Sequence, residues 1–425
     1  MRRCYLYNID LAQWNVCLPR PPIYVHDHRY PHQTSAVYGN DPEDSKVKIQ
    51  EVIMTQQIQT TTAIADFSVR LLQETAHSGK NILISPVSVL ASLMIAQFGA
   101  AGSTLEQMEA VVGANADAVM YTLDGMFRNI DESVLKCSNQ TWLNTGIGIR
   151  FNPVFIEKCR RALSADLYPR RNMPKELLKR EGILHKLRSM LLPDSDENID
   201  PTVMVIRNEL AFQCRWREFY QQSEIRQHPF EAENGSVKLA TFLFGKEQTY
   251  LQDENACGFI KQYDDARYAF AALVPDDGIS LDEYIDTLTG RKLLQILNQT
   301  TYVDVSTAIP KFRMDATAEL KPHIENMGMY DAFDNLSADF TGIGFWDRNR
   351  MNVYIQSADQ CCNVCIDEYG TKARAVTEVR HSGIFIKLII PEKKEVYLDR
   401  PFLYMIIDNR TKLPLFMGMM REIPK

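Results

Sequence analysis

Nothing in this 425-residue chain reaches the apolar length of a membrane-spanning helix. The first thirty residues, from Met1-Arg-Arg-Cys-Tyr-Leu-Tyr through Pro19-Arg-Pro-Pro22, hold no run of seven or more apolar residues, so no secretory signal is visible. There is no Gly-x-Ser-x-Gly elbow, no His-Glu-x-x-His and no phosphate-cradling glycine loop, which argues against the commonest hydrolase, metalloprotease and nucleotide-binding classes. Histidine is scarce, at eight residues. His26, His28 and His32 have a spacing that could hold a metal, but in an aperiodic leader solvated coil is the commoner outcome. No cofactor is implied. The nine cysteines (Cys4, 17, 137, 159, 214, 257, 361, 362 and 365) are odd in number and scattered, so they form no disulfide framework. Cys362-Asn-Val-Cys365 lies in strand-like sequence, which puts its two thiols on opposite faces and favours packing over chelation. Excess positive charge is also missing: 47 basic against 54 acidic residues give −7, so neither nucleic acid nor an anionic membrane is expected as partner. Arg160-Arg161 and Arg170-Arg171 are short basic runs and read as solvated surface.

What is present is concentrated toward the C-terminus, in Glu368-Tyr-Gly-Thr-Lys-Ala-Arg-Ala-Val-Thr377. Read as a strand, Thr371, Ala373, Ala375 and Thr377 share a small face, while Lys372, Arg374, Val376 and Glu378 share a longer, mostly charged one. Such a segment could enter a sheet without overfilling it. Gly370 and His381-Ser-Gly383 read as hinge and exposed loop. Upstream, Gln360 to Ile366 alternates as a strand; downstream, Glu395 to Ile407 and Leu413 to Gly418 are β-rich around a turn at Asp408-Asn-Arg-Thr-Lys412. Residues 1–57 are polar, rich in Pro and His and without periodicity, and read as a leader or disordered extension. An amphipathic helix is expected from Ala63, with Ala65, Phe67, Leu71 and Leu72 on its inner face. At Asn81-Ile-Leu-Ile-Ser-Pro-Val-Ser88, Ser85 is placed as N-cap and Pro86 as first residue of a helix that is apolar all round, hence central.

The run Glu-x-Gly-Thr-x-Ala-x-Ala-x-Thr, with Arg400-Pro-Phe402 and Leu415-Phe-Met-Gly418, resembles the hinge and C-terminal signature of the serpins; Tyr397-Leu-Asp-Arg-Pro-Phe402 resembles bacterial serpins in particular. The likeness extends back in order through Asp253–Ile260, Val203–Phe212 with Trp216, Ser138–Leu143 and Asn81–Ser88, covering roughly residues 60–425 as one domain without repeats (bounds 58–425). It implies a mixed α and β fold: a large central, mostly antiparallel β-sheet, two smaller sheets, eight or nine helices and an exposed reactive-centre loop. It implies a suicide inhibitor of serine proteases, not an enzyme: the protease acylates itself on the loop, and the loop then inserts as a strand. The alternative it leaves open is a non-inhibitory or decayed member serving as substrate or binding protein. Carried over by position, the hinge is Glu368, Gly370, Thr371, Ala373, Ala375 and Thr377; the shutter is Ser85, Ser88, Asn208 and Gln360, the last in place of a usual histidine; the breach is Trp216, Lys311 and Glu368. Counting places the reactive bond at Ile384–Phe385, which suits elastase-like or subtilisin-like partners; the lengthened loop also leaves Arg380 or Lys387 open to trypsin-like ones. A monomer, extracellular or at the cell surface, is what the resemblance implies; with no visible signal, the cytoplasm is the other reading.

Overall fold

The computed structural model describes residues 42–76, 79–127, 131, 133–143, 149–162, 166–169, 204–346, 353–371 and 393–424. The described chain opens with helix α1 (Pro42–Ala76), strand β1 (Ile82–Ile84), and helices α2 (Pro86–Gln97), α3 (Gly102–Val112) and α4 (Ala116–Phe127). Strands β2 (Leu135–Leu143) and β3 (Ile149–Phe151) lead to α5 (Pro153–Arg161) and β4 (Asp166–Pro169). Six strands follow: β5 (Met204–Phe212), β6 (Cys214–Arg215), β7 (Ile225–Glu231), β8 (Val237–Gln252), β9 (Ala256–Gln262) and β10 (Tyr268–Pro275). After α6 (Leu281–Asp286) and α7 (Gly290–Asn298) come β11 (Thr301–Pro310), β12 (Phe312–Glu319) and α8 (Lys321–Asn326). The chain closes with β13 (Gly344–Trp346), β14 (Asp359–Asp367), β15 (Gly370–Thr371), β16 (Lys393–Tyr397), β17 (Phe402–Asp408) and β18 (Pro414–Met420).

Nine strands form one sheet, in order β1-β18-β17-β10-β9-β8-β11-β16 with β7 also on β8; it is antiparallel except for β11 with β16. Strands β10, β17 and β18 are buried along their whole length, which is why Tyr268-Ala-Phe-Ala-Ala-Leu-Val274 and Phe402–Ile407 read as continuous apolar runs rather than alternating ones. The central layer consists of two ladders, β4-β2-β5 and β12-β14-β15-β6, joined by the chain itself where β5 passes through Gln213 into β6. Within it only β2 with β4 runs parallel. A further small pair joins β3 to β13.

Helix α2 is buried on nearly every face, as its uninterrupted apolar sequence requires, and packs against β5 and β18. In α1, Ile64, Ala65, Phe67, Leu71 and Leu72 enter the core at the expected helical spacing. Helix α1 begins at Pro42, inside the stretch 1–57 expected as a leader; Gln56 to Gln59 are exposed helix, and core packing begins at Thr60. Residues 54–59 of the helix face water, and their sequence accordingly lacks an apolar stripe. Residues 1–41, including His26, His28 and His32, lie outside the described residues.

The C-terminal segment is anchored by Arg421, whose side chain is buried. Its guanidinium pairs with Asp282 on α6 and Glu233 in the β7–β8 turn, and donates to the carbonyls of Lys80 (3.1 Å) and Ala76 (2.9 Å). One side chain thereby joins the end of α1, the nine-stranded sheet and α6.

Candidate functional site

The segment singled out by sequence begins as a β-hairpin. Strand β14 pairs with β15 at Ile366↔Thr371 and Asp367↔Gly370, leaving Glu368 and Tyr369 as a two-residue turn. That turn carries no Asn-Gly signature; the Asp367 carboxylate holds it instead, accepting from the amides of Tyr369 (2.8 Å) and Gly370 (3.1 Å). On its other side β15 pairs with β6, Gly370↔Arg215 and Thr371↔Cys214. Gly370 and Thr371, the first residues of the expected hinge segment, are thus buried and paired on both sides. Gly370 has φ +148°, and a Cβ there would lie 2.2 Å from the Cys214 carbonyl oxygen, so only glycine fits. The Thr371 hydroxyl lies 2.7 Å from the Tyr263 hydroxyl in the interior.

Beyond Thr371, β14 and β5 come into contact without sharing a ladder among the described residues. Strand β14 is laddered to β12 on one side, β5 to β2 on one side, and β14 and β5 share no ladder. The two facing edges are each nine residues long, about 30 Å at roughly 3.3 Å per residue. They lie on either side of the strand begun at Gly370–Thr371.

Three consecutive backbone carbonyls of the hairpin are held from below. Asp367 O accepts from Trp216 Nε1 (2.9 Å), Glu368 O from the Tyr220 amide (3.0 Å) and Tyr369 O from the Trp216 amide (2.9 Å). Trp216 stacks on Tyr263 at 4.5 Å between ring centroids and 9° between planes. The Glu368 side chain meets Lys311 Nζ at 2.5 Å, so the three expected breach residues, Trp216, Lys311 and Glu368, do come together. Burial pushes the Glu368 carboxyl upward, but the hydrogen bond and charge of Lys311 outweigh it and hold it below the ordinary 4.5. Next door, burial wins and raises the Asp367 carboxyl. For Glu368 the sign follows directly: a lowered folded-state value contributes stability that is complete above pH 4.5 and is lost as pH falls through the lower value. The stability difference between wild type and Glu368→Gln, measured by denaturant titration, is thus expected to be constant from neutrality down to about pH 5 and to shrink below it.

At the other end of β14, the Gln360 amide makes a two-point contact with the backbone of Ser85. Its Oε1 accepts from Ser85 N (2.9 Å), and its Nε2 donates to Ser85 O (2.8 Å). The side chain thus uses both roles that a glutamine can play at once, in a buried setting. Ser85 is the N-cap residue of α2 by position, but the expectation of a side-chain cap is corrected: its hydroxyl donates 2.7 Å to Leu415 O on β18. The first turn of α2 closes through Ser85 O instead, which accepts from Ser88 N and Val89 N. Ser88 is half-buried on that turn. Asn208 lies on β5 opposite Asn139 of β2. Ala373, Ala375, Thr377, Arg380, Ile384, Phe385 and Lys387 lie outside the described residues. Cys362 is buried and Cys365 half-buried on opposite faces of β14, each without a disulfide, as their spacing in a strand implies.

Sequence reasoning did not find Tyr220, Tyr263, Cys214 or Asp367 as parts of this site. Only Asp367 carried a local signal, an Asp two residues before a turn; the others reach the hinge across strands distant in sequence.

Comparison with known proteins decides the family. The family model described as "Serpin (serine protease inhibitor)" matches residues 62–423. The chain is a serpin. A serpin-like protein of Thermococcus kodakarensis is 26% identical over 375 residues, covering 86% of this chain and 86% of its own length. Leukocyte elastase inhibitor of Xenopus laevis is 26% identical over 362 residues, covering 80% of this chain and 93% of that one. Among solved structures, the thermophilic serpin tengpin in its native state aligns with TM-score 0.72 and 30% identity over 85% of this chain and 94% of its own. The eight helices, mixed sheets and hairpin described above are this serpin's version of that fold. No helix among its described residues is long and apolar enough to cross a membrane.

Proposed function

We propose that this serpin is a suicide inhibitor of serine proteases that works by completing the strand begun at Gly370–Thr371. The observation that carries the reading is that this strand is already paired on both sides while the edges of β14 and β5 beyond it share no ladder among the described residues. Cleavage of the loop downstream frees residues 372 onward to continue between those edges. About fifteen residues at roughly 3.3 Å each span about 50 Å, so an acylated protease is dragged the length of the molecule and distorted. Each new ladder bond contributes roughly 0.5–1.5 kcal/mol, and a strand bonded on both sides gains around 10 kcal/mol or more. That is comparable to the whole stability of an ordinary domain, which makes the uncleaved form kinetically trapped. The preformed hairpin sets the register from its first rungs, with Ala373, Ala375 and Thr377 continuing the inward face that Thr371 begins.

The reactive bond is assigned to Ile384–Phe385, with elastase-like or subtilisin-like proteases as targets; the elastase inhibitor among its relatives supports the aliphatic choice. Arg380 and Lys387 are the assignments for a trypsin-like target. The test is incubation with each protease class followed by denaturing electrophoresis. A complex that survives SDS supports inhibition; loop cleavage without any such complex leaves a non-inhibitory serpin that serves as substrate or binding protein.

A further inference from the structure

Lys261 on β9 is almost fully buried, and its partner on β10 is Phe270. Its ammonium bonds Glu247 on β8 at 2.8 Å, the two side chains being 6% and 14% exposed. Burial raises the Glu247 carboxyl even with that ammonium beside it. An ion pair whose desolvation outweighs its attraction is a poor source of stability. Its surroundings suggest another use. The Lys261 Nζ lies 4.5 Å from the ring centre of Tyr220 and 5.4 Å from that of Trp216. These are the two residues that hold the carbonyls of Asp367, Glu368 and Tyr369. Trp216 in turn stacks on Tyr263, whose hydroxyl meets Thr371. A cation over two aromatic rings in a water-poor interior fixes both rings relative to the strand that carries it.

We propose that the Lys261–Glu247 pair is a positioning element of the nine-stranded sheet that seats the hinge hairpin through Trp216 and Tyr220, and thereby sets how fast the cleaved loop extends into the central layer. The proposal rests on the insertion reading given above. Without the seat, the two rings are free to shift, the Trp216 Nε1 contact to the Asp367 carbonyl loosens, and the backbone amides of Trp216 and Tyr220 hold the Tyr369 and Glu368 carbonyls less firmly. Insertion slows, whereas access of a protease to the loop, which lies beyond the hairpin, does not change.

The test is the Lys261→Met, Glu247→Leu double variant, which removes both charges at similar volume. Wild type and variant are mixed with saturating subtilisin, and the limiting rate of the tryptophan emission change after loop cleavage is followed by stopped flow, with cleavage itself timed on gels. The limiting rate is expected to fall about tenfold, the size expected for losing two desolvated cation–ring contacts. Cleavage is expected to stay within about twofold, and Lys261→Arg, which keeps the cation, to recover most of the rate. A double variant that matches wild type in both rates overturns the proposal. Should the double variant fail to fold, Glu247→Gln is read instead: an insertion rate lowered about threefold supports the seat, an unchanged one overturns it. Failure of the underlying reading looks different: wild type itself then shows no emission change and gains no heat resistance when cleaved.

Discussion

Thr371→Arg is expected to abolish formation of an SDS-stable protease complex, a loss of at least about a hundredfold, while leaving the loop as easily cleaved as before. Thr371 is 1% exposed, and its hydroxyl sits against that of Tyr263. A guanidinium in that position is taken out of water and costs several kcal/mol to desolvate. The first inward rung of the new strand is then expelled from the layer, and the strand cannot start. The measurement is a titration of protease against the variant, with cleaved monomer and complex separated by denaturing electrophoresis. Inhibition equal to wild type would contradict the insertion account, since the register of the hairpin places residue 371 in the interior.

Arg421→Ala has the largest expected effect on stability. Truncation leaves Asp282 and Glu233 facing one another's charge, and strips the carbonyls of Lys80 and Ala76 of their donor. Removing one partner of a buried ion network typically costs about 3–5 kcal/mol. About 1–3 kcal/mol is expected here, because Arg421 is buried but Glu233 and Asp282 keep 34% and 38% of their side-chain surface in water, which solvates the carboxylates left behind. Chemical denaturation should show a lower midpoint with an unchanged slope. Restoring charge balance with Asp282→Asn in the Arg421→Ala background should recover part of the loss, since the uncompensated carboxylate is a large share of it. A midpoint equal to wild type would mean that the C-terminal segment is held by its apolar strand alone.

Much of this structure could be read before any coordinates. The alternation from Gln360 to Ile366 gave a strand with Gln360, Cys362, Val364 and Ile366 inward, and β14 has that burial pattern. The all-apolar α2 signalled its central position, because a segment buried on every side has no reason to alternate; the continuous runs of β10 and β17 are buried in the same way. The meeting of Lys311 with Glu368 near Trp216 was reached only through family resemblance; 57 residues separate the charged pair, and no local pattern links them. The hairpin itself was hidden. Its turn residues, Glu368 and Tyr369, are not those favoured in tight hairpins, and the side chain that makes the turn, Asp367, looks like an ordinary strand-end acid. Ser85 misled for a related reason: its place before Pro86 marks an N-cap, yet burial against β18 gives its hydroxyl a different acceptor. Lys261 and Glu247 were beyond reach because their contact depends on the pairing of β8 with β9, and an isolated lysine in an apolar strand says nothing of what lies above it.

The account stands on the claim that the uncleaved molecule is a trapped form whose central layer lacks one strand. The direct test is thermal melting before and after limited proteolysis within residues 372–392, with the fragments left associated. Completion of the strand predicts that the clipped protein melts well above the intact one, by about 10–15 °C if the added ladder contributes around 10 kcal/mol. A clipped protein that melts at or below the temperature of the intact chain would contradict the claim.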